Sequence, residues 1–336
     1  VEAIKTLREK ARNVDAKIVL PEGSEPRAIK AAAQISREKI SRVILLPSTK
    51  GVEETLKAEN ADMERIEIID IKNSPLLDKY IDMFYELRKH KGISKDDAKN
   101  AIINNSLYFG ALMVREGLAN GFVAGAVNTT RDVARSCLWC IGLDRAVRTM
   151  SSSFIMIVPH KEFGASGVFI YADCGIIPFP SPRQLASIAM TSSELMSIIF
   201  EAEPKVAMLS FSTKGSGEMD AIEKIHKAID IVKEKKPGLM IDGEIQADAA
   251  LVPEVAKIKA PKSPLKGEAN VLIFPNLEAG NISYKLTQRL AKARALGPLL
   301  NGLQAPCSDL SRGCTTDDIV DIVAVTALRC AYNKKV

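Results

Sequence analysis

Short apolar runs rich in branched side chains alternate with longer amphipathic stretches along nearly the whole chain, and this rhythm restricts the fold more than any other feature. Strands joined through helices need crossover connections, which set neighbouring strands parallel and lay the helices on the sheet faces. KIVL at 17–20, RVILL at 42–46, RIEIID at 65–70 and GFVAGAV at 121–127 read as buried strands. Between them, EPRAIKAAAQISREK carries Ala28, Ala32 and Ile35 at helical spacing. A helix near 76–90 aligns Ile81, Phe84 and Leu87, and one long helix is predicted over 95–117. The class is therefore α/β with largely parallel sheets.

The strand pattern restarts with SSSFIMIV at 151–158 and VFIYAD at 168–173, which places a domain boundary between 142 and 151. After IIPFPSP a helix runs to about 200, and KVAMLSF (205–211), GLMIDGEI (238–245) and ANVLIFPNL (269–277) read as further strands. Each precedes a polar or glycine-bearing loop, at the strand end where open α/β sheets bind ligands. A helix is predicted at 280–295 and a last one at 317–330; the GPLLNGLQAPCSDLSRGCTTDD stretch between them has little periodicity, which suits a segment that builds a site.

Charge and cysteine content exclude several classes. Lys and Arg number 46 against 41 Asp and Glu, a formal charge of +5 with no basic tract, which argues against a nucleic-acid binder. VEAIKTLREK is a charged amphipathic helix without a signal-peptide core, and no apolar run is long enough to span a bilayer, so a soluble cytoplasmic protein is expected. The six cysteines are too sparse for a disulfide scaffold. Cys137 and Cys140 form CLWC, but no second CxxC follows and the histidines have no ligand spacing to it, so buried thiols are expected and no metal site.

SDLSRGCTTDDIV at 308–320 is the strongest local candidate for chemistry, because a hydroxyl, a guanidinium and a carboxylate converge where a loop enters a helix. Thr315 and Asp318 also match a capping pattern, and exposed N–H groups at such a helix start can hold a phosphate oxygen. Ile282, Leu286 and Leu290 supply an apolar helix face with Arg289 beside it, and Arg88 follows Phe84 by one turn, where an arginine stem can cover apolar surface. Arg131 and Arg135 fall on one side of a helix and repel unless an anion or carboxylate lies between them. FSTKGSG at 211–217 is either an ordinary strand-to-helix turn or a contact to a large anion; neither a GxxxxGK[ST] nor a GxGxxG fingerprint occurs.

FYELRKHKG at 84–92, KVAMLSFSTKGSG at 205–217, IDGEIQADAA at 241–250, ANVLIFPNLEAGNISYKLTQRLAKA at 269–293 and DLSRGC at 309–314 closely resemble the short, single-module form of phosphate acetyltransferase, along essentially the whole chain. The resemblance implies reversible acetyl transfer between coenzyme A and orthophosphate, two α/β domains with an active-site cleft between them, and a homodimer. With the strand restart, this gives a first domain of residues 1–146 completed by 299–336 and a second of 147–298. It implies catalytic roles for Ser311, Arg312 and Asp318, with Arg88, Arg135 and Arg289 binding phosphate, acetyl phosphate or CoA, and the neighbouring Arg131 is expected to add its charge to that binding. Two residues depart from the family pattern: Arg131 stands where a small polar residue is common, and Ser136 replaces a proline. No cofactor is implied, since CoA is a substrate. Phosphate butyryltransferase is the alternative within the class, and a non-catalytic CoA-binding or assembly module the alternative outside it.

The implied chemistry has a physical difficulty. Proton transfer from a thiol of pKa about 8.5 to an aspartate of about 3.9 is uphill by roughly 6 kcal/mol. Asp318 then needs a raised pKa, or the thiolate a positive field, or transfer concerted with attack. Arginine forks match phosphate oxygens and supply that field.

Overall fold

A computed structural model describes residues 2–47, 51–217 and 220–333. The chain divides into two compact units, residues 1–146 with 303–336, and residues 147–302. Its strands are β1 (Lys17–Leu20), β2 (Arg42–Leu45), β3 (Ile66–Ile68), β4 (Gly121–Ala124), β5 (Ser151–Ile157), β6 (Val168–Ala172), β7 (Lys205–Leu209), β8 (Met240–Ile245), β9 (Val271–Ile273), β10 (Arg294–Asn301) and β11 (Cys307–Asp309).

The first unit carries strands in the order β3-β2-β1-β4-β11, every pair parallel. All four β4 residues are buried, as a central strand covered on both faces requires. The helix Pro26–Arg37 packs Ala28, Ile29, Ala31, Ala32, Ala33 and Ile35 inward; its proline sits in the first turn, where the missing N–H costs nothing, and Glu25 caps it. The long helix expected over 95–117 is two helices, Lys95–Asn104 and Ser106–Arg115. Asn105 leaves the helical region (φ −139°, ψ 100°) and its side chain accepts the Leu107 N–H, ending one helix and capping the next. The last helix, Thr316–Asn333, belongs to this unit.

The second unit orders its strands β10-β5-β6-β9-β7-β8. Here β10–β5 and β5–β6 are antiparallel, whereas β6–β9, β9–β7 and β7–β8 are parallel. The predicted helix at 280–295 runs instead over Leu277–Leu290, and two parts of the stretch after it are strand, within Arg294–Asn301 and Cys307–Asp309. β10 pairs Arg294 with Ile157 and Asn301 with Ser151, with a register shift between Leu296 and Leu299. Gly297 and Pro298 lie at that shift, where the proline needs no ladder donor, and they hide the strand from a periodicity reading. β10 also keeps residues 299–302 in the second unit. The apolar stripe of the helix Leu277–Leu290 lies at the surface of its unit: Ile282, Leu286 and Leu290 are 58%, 52% and 79% exposed. The helix seats its start instead, where a side chain on Gly280 would overlap the Asp173 carbonyl.

Among the described residues no helix is long and apolar enough to cross a membrane.

Candidate active site

In the first unit the site segments are fastened by carboxylates and one arginine behind the loops. Glu22, 5% exposed in the turn after β1, takes the backbone that follows β4: Oε2 accepts from Gly125 N (2.8 Å) and Ala126 N (2.7 Å), and Oε1 from Val127 N (3.2 Å), Asn128 N (2.9 Å) and Asn128 Nδ2 (2.7 Å). Consecutive amides converging on one anion fix a loop that has no ladder partner. Gly125, at φ +116°, permits the approach, since a Cβ there would overlap Asp309 Oδ1 and the Leu310 backbone.

Asp309 ends β11 with no solvent exposure. Its Oδ2 accepts the Thr130 hydroxyl at 2.6 Å, and Oδ1 has no hydrogen-bond partner. Burial pushes its carboxyl up to about 7, the Glu22 charge adds to this, and the bonds from Thr130 and Leu310 oppose it. Thr130 opens the helix Thr130–Ser136 that carries Arg131 and Arg135, so Asp309 joins that helix to the strand leading into Ser311.

Ser311 and Arg312 stand exposed in the loop after β11. The loop is tied from below by Arg27, whose Nη1 donates to the carbonyls of Arg312 (2.8 Å) and Cys314 (2.9 Å) and whose Nη2 donates to that of Ala126 (2.9 Å). Glu25 accepts from Arg27 Nε at 2.6 Å and orients the fork. Asp318 forms the expected cap: its Oδ2 accepts from Thr315 N and Thr315 Oγ1, both at 2.9 Å, while Asp318 N donates to Thr315 Oγ1 at 3.2 Å. The half-exposed carboxylate thus stands at a helix start, three residues after the exposed end of the loop. Cys314 is buried, and burial pushes its thiol up to about 11, against the pull of Arg27.

The arginines divide into three situations. Arg88 and Arg135 meet at Trp139, their guanidinium carbons 4.0 and 5.6 Å from its ring centroid. Asp132 lies 3.6 Å from Arg135, so a carboxylate accompanies that arginine, while Arg131 is exposed. Arg289 is exposed on the helix Leu277–Leu290 of the second unit. Glu22, Arg27, Asp309 and Trp139 were not singled out from the sequence, although Asp309 opens the DLSRGC block, Trp139 lies in CLWC, and Glu22 and Arg27 lie in the charged PEGSEPR turn after a strand.

Two other segments resolve into internal packing. In the FSTKGSG loop, Ser212 Oγ (3.0 Å) and Gly215 N (2.6 Å) donate to Glu244 Oε1, and Lys214 pairs with Asp242, so the loop is pinned to β8. The CLWC thiols of Cys137 and Cys140 are buried in a π-helical turn, Cys137–Ile141.

Comparison with known proteins identifies the family of the chain. A family model for phosphate acetyl/butaryl transferase matches residues 2–327. A phosphate acetyltransferase of Thermoanaerobacterium thermosaccharolyticum is 49% identical over 326 residues, 97% of this chain and 98% of that relative. A phosphotransacetylase from Streptococcus pyogenes superposes with a TM-score of 0.91 at 37% identity, covering 98% of both chains. The EutD phosphotransacetylase from Staphylococcus aureus gives 0.86 at 39% identity, again over 98% of both. With the family match spanning nearly every residue and identities of this size, the chain belongs to the phosphate acetyl/butaryl transferase family.

Proposed function

We propose that the protein catalyses acetyl-CoA + phosphate = CoA + acetyl phosphate by direct transfer in a ternary complex. In the direction of thioester synthesis the CoA sulfur attacks the acetyl carbonyl, its proton passes to Asp318, and the tetrahedral oxyanion collapses with loss of phosphate. Arg312 balances charge on the reacting phosphoryl and carbonyl oxygens, and Ser311 donates a hydrogen bond to them. Arg88, Arg135, Arg131 and Arg289 hold the phosphate groups of the substrates.

The observation that carries this reading is the single loop that presents Ser311 and Arg312 to solvent, runs into the Asp318 cap and is tied from below by Arg27. The same loop supports direct transfer over an acetyl-enzyme, because its one thiol, Cys314, is buried and pushed toward the neutral form. Proton transfer to Asp318 is concerted with attack, with the arginines lowering the energy of the nascent thiolate.

The reading needs no cofactor and places the protein in the cytoplasm, where CoA thioesters are handled. It also calls for a homodimer, for which the exposed Ile282, Leu286 and Leu290 stripe supplies an apolar surface. The test is phosphate-dependent loss of the acetyl-CoA thioester, run beside butyryl-CoA. Turnover that Asp318→Asn and Arg312→Ala each depress by at least about a hundredfold supports the assignment. Preference for butyryl-CoA moves it within the family, CoA binding without turnover removes it, and a covalent acetyl-protein formed and consumed at the turnover rate overturns direct transfer.

A further inference from the structure

The chain has one tryptophan, and it lies under two of the proposed anion-binding arginines. Trp139 belongs to the π-helical turn closed by the Gly142 N–H on the Cys137 carbonyl at 3.1 Å. A π turn spaces its side chains differently from the α-helix before it. In this one Cys137, Cys140 and Ile141 are buried while Trp139 stays half-buried. Tyr108 stacks on the indole with an interplanar angle of 8° and centroids 6.0 Å apart, and Tyr108 in turn packs on Phe84 at 4.9 Å. The indole is therefore held by a buried aromatic neighbour and meets guanidiniums from two different helices.

How these arginines are held determines what they can do. A carboxylate partner neutralises a guanidinium and occupies its N–H donors. An aromatic face attracts the cation through its quadrupole and leaves the in-plane donors available. Arg88 is of the second kind: among the described residues no carboxylate lies within ion-pair distance of it, and its Nε is buried without a hydrogen-bond partner. Arg135 has a longer contact, 3.6 Å to Asp132, with both side chains 38% exposed, and donates a hydrogen bond to the Tyr108 hydroxyl beside the indole. Two cations gathered on one ring, neither held by a close carboxylate, suit a ligand that carries more than one negative charge.

We infer that Trp139 is a positioning residue that holds Arg88 and Arg135 together for a phosphoryl group of a substrate, either orthophosphate or a phosphate of CoA. The inference rests on the functional reading above and deepens it by naming what sets the two arginines. It also gives a role to the aromatic residue of CLWC.

Because Trp139 is the only tryptophan, its emission reports on this site alone. The intact protein is titrated with orthophosphate and, separately, with CoA; a saturable emission change identifies which of the two supplies the phosphoryl group. Kinetics then test positioning. Trp139→Leu should raise KM for the responding substrate roughly three- to thirtyfold, the span of one cation–π contact, with a much smaller change in kcat. Trp139→Phe, which keeps an aromatic face, should recover most of that loss. Arg88→Ala should raise KM less in the Trp139→Leu background than in the wild type, since the arginine is already misplaced there; a merely structural tryptophan gives additive effects. Unchanged KM values in Trp139→Leu, equal impairment of the Leu and Phe variants, or additivity with Arg88→Ala would each overturn the inference while wild-type turnover stands. Absence of wild-type turnover instead removes the functional reading, and loss of any emission response to either ligand then removes this one as well.

Discussion

Arg27 donates to the carbonyl oxygen of Arg312 at 2.8 Å, so one arginine sets the backbone from which another projects. The same guanidinium reaches the carbonyls of Cys314 and Ala126, which locks the Ser311–Arg312 loop to the turn after β4. A lysine keeps the charge but cannot span three carbonyls with a planar fork. Both Arg27→Ala and Arg27→Lys are therefore expected to lower kcat by about ten- to a hundredfold in the thioester assay, the range for a displaced reacting group. Full activity in Arg27→Lys would mean that charge alone, and not the fork, is what the loop requires.

Glu22 makes a stability prediction that does not depend on catalysis. Its two oxygens accept from four successive backbone amides and one side-chain amide. Glutamine replaces one of those acceptors by an N–H facing other N–H groups. Glu22→Gln should destabilise the first unit by about 2–3 kcal/mol in denaturant unfolding at neutral pH, the scale of a lost charge-assisted hydrogen bond in a buried site. An unfolding midpoint equal to wild type would show that the turn is held by other contacts.

The strands that stood out in the sequence are those whose evidence is local. KIVL is a lysine followed by three branched apolar residues and becomes β1 residue for residue, and Thr315 and Asp318 form their cap across three positions. What stayed hidden depends on partners far away in the chain. Arg27 reaches a carbonyl 285 residues on, and Asp309 takes a hydroxyl 179 residues back. β10 is broken as a pattern by Gly297 and Pro298 and becomes a strand only by pairing with β5. The stripe of Ile282, Leu286 and Leu290 was visible at its helical spacing, but periodicity reports that a face is apolar and is silent on what covers it.

That stripe gives the third prediction. Leu286 is half exposed between two more exposed apolar neighbours, a poor surface for a monomer in water. Leu286→Glu should shift a homodimer toward monomer in sedimentation velocity, because a carboxylate buried between two copies lacks a partner. A monomeric wild-type protein, or a variant as dimeric as wild type, would remove this helix from the subunit contact.

Asp309 predicts a pH dependence of stability whose sign follows from its burial. Its carboxyl titrates at about 7 in the folded protein and at the ordinary value of 3.8 when unfolded. The folded state thus holds a proton that the unfolded chain releases, so the contribution of this group is fully present below about pH 4 and is lost as pH rises through 7. The loss reflects ionisation of a buried carboxyl facing Glu22 with one oxygen unpaired. Asp309→Asn cannot ionise, while its side-chain oxygen can still accept from Thr130. The difference in Tm, variant minus wild type, should therefore become steadily more positive from pH 5 to pH 8, whatever its value at the lower end. A difference that stays flat across that range would mean that Asp309 is already ionised at pH 5 and that the two carboxylates are balanced by nearby cations.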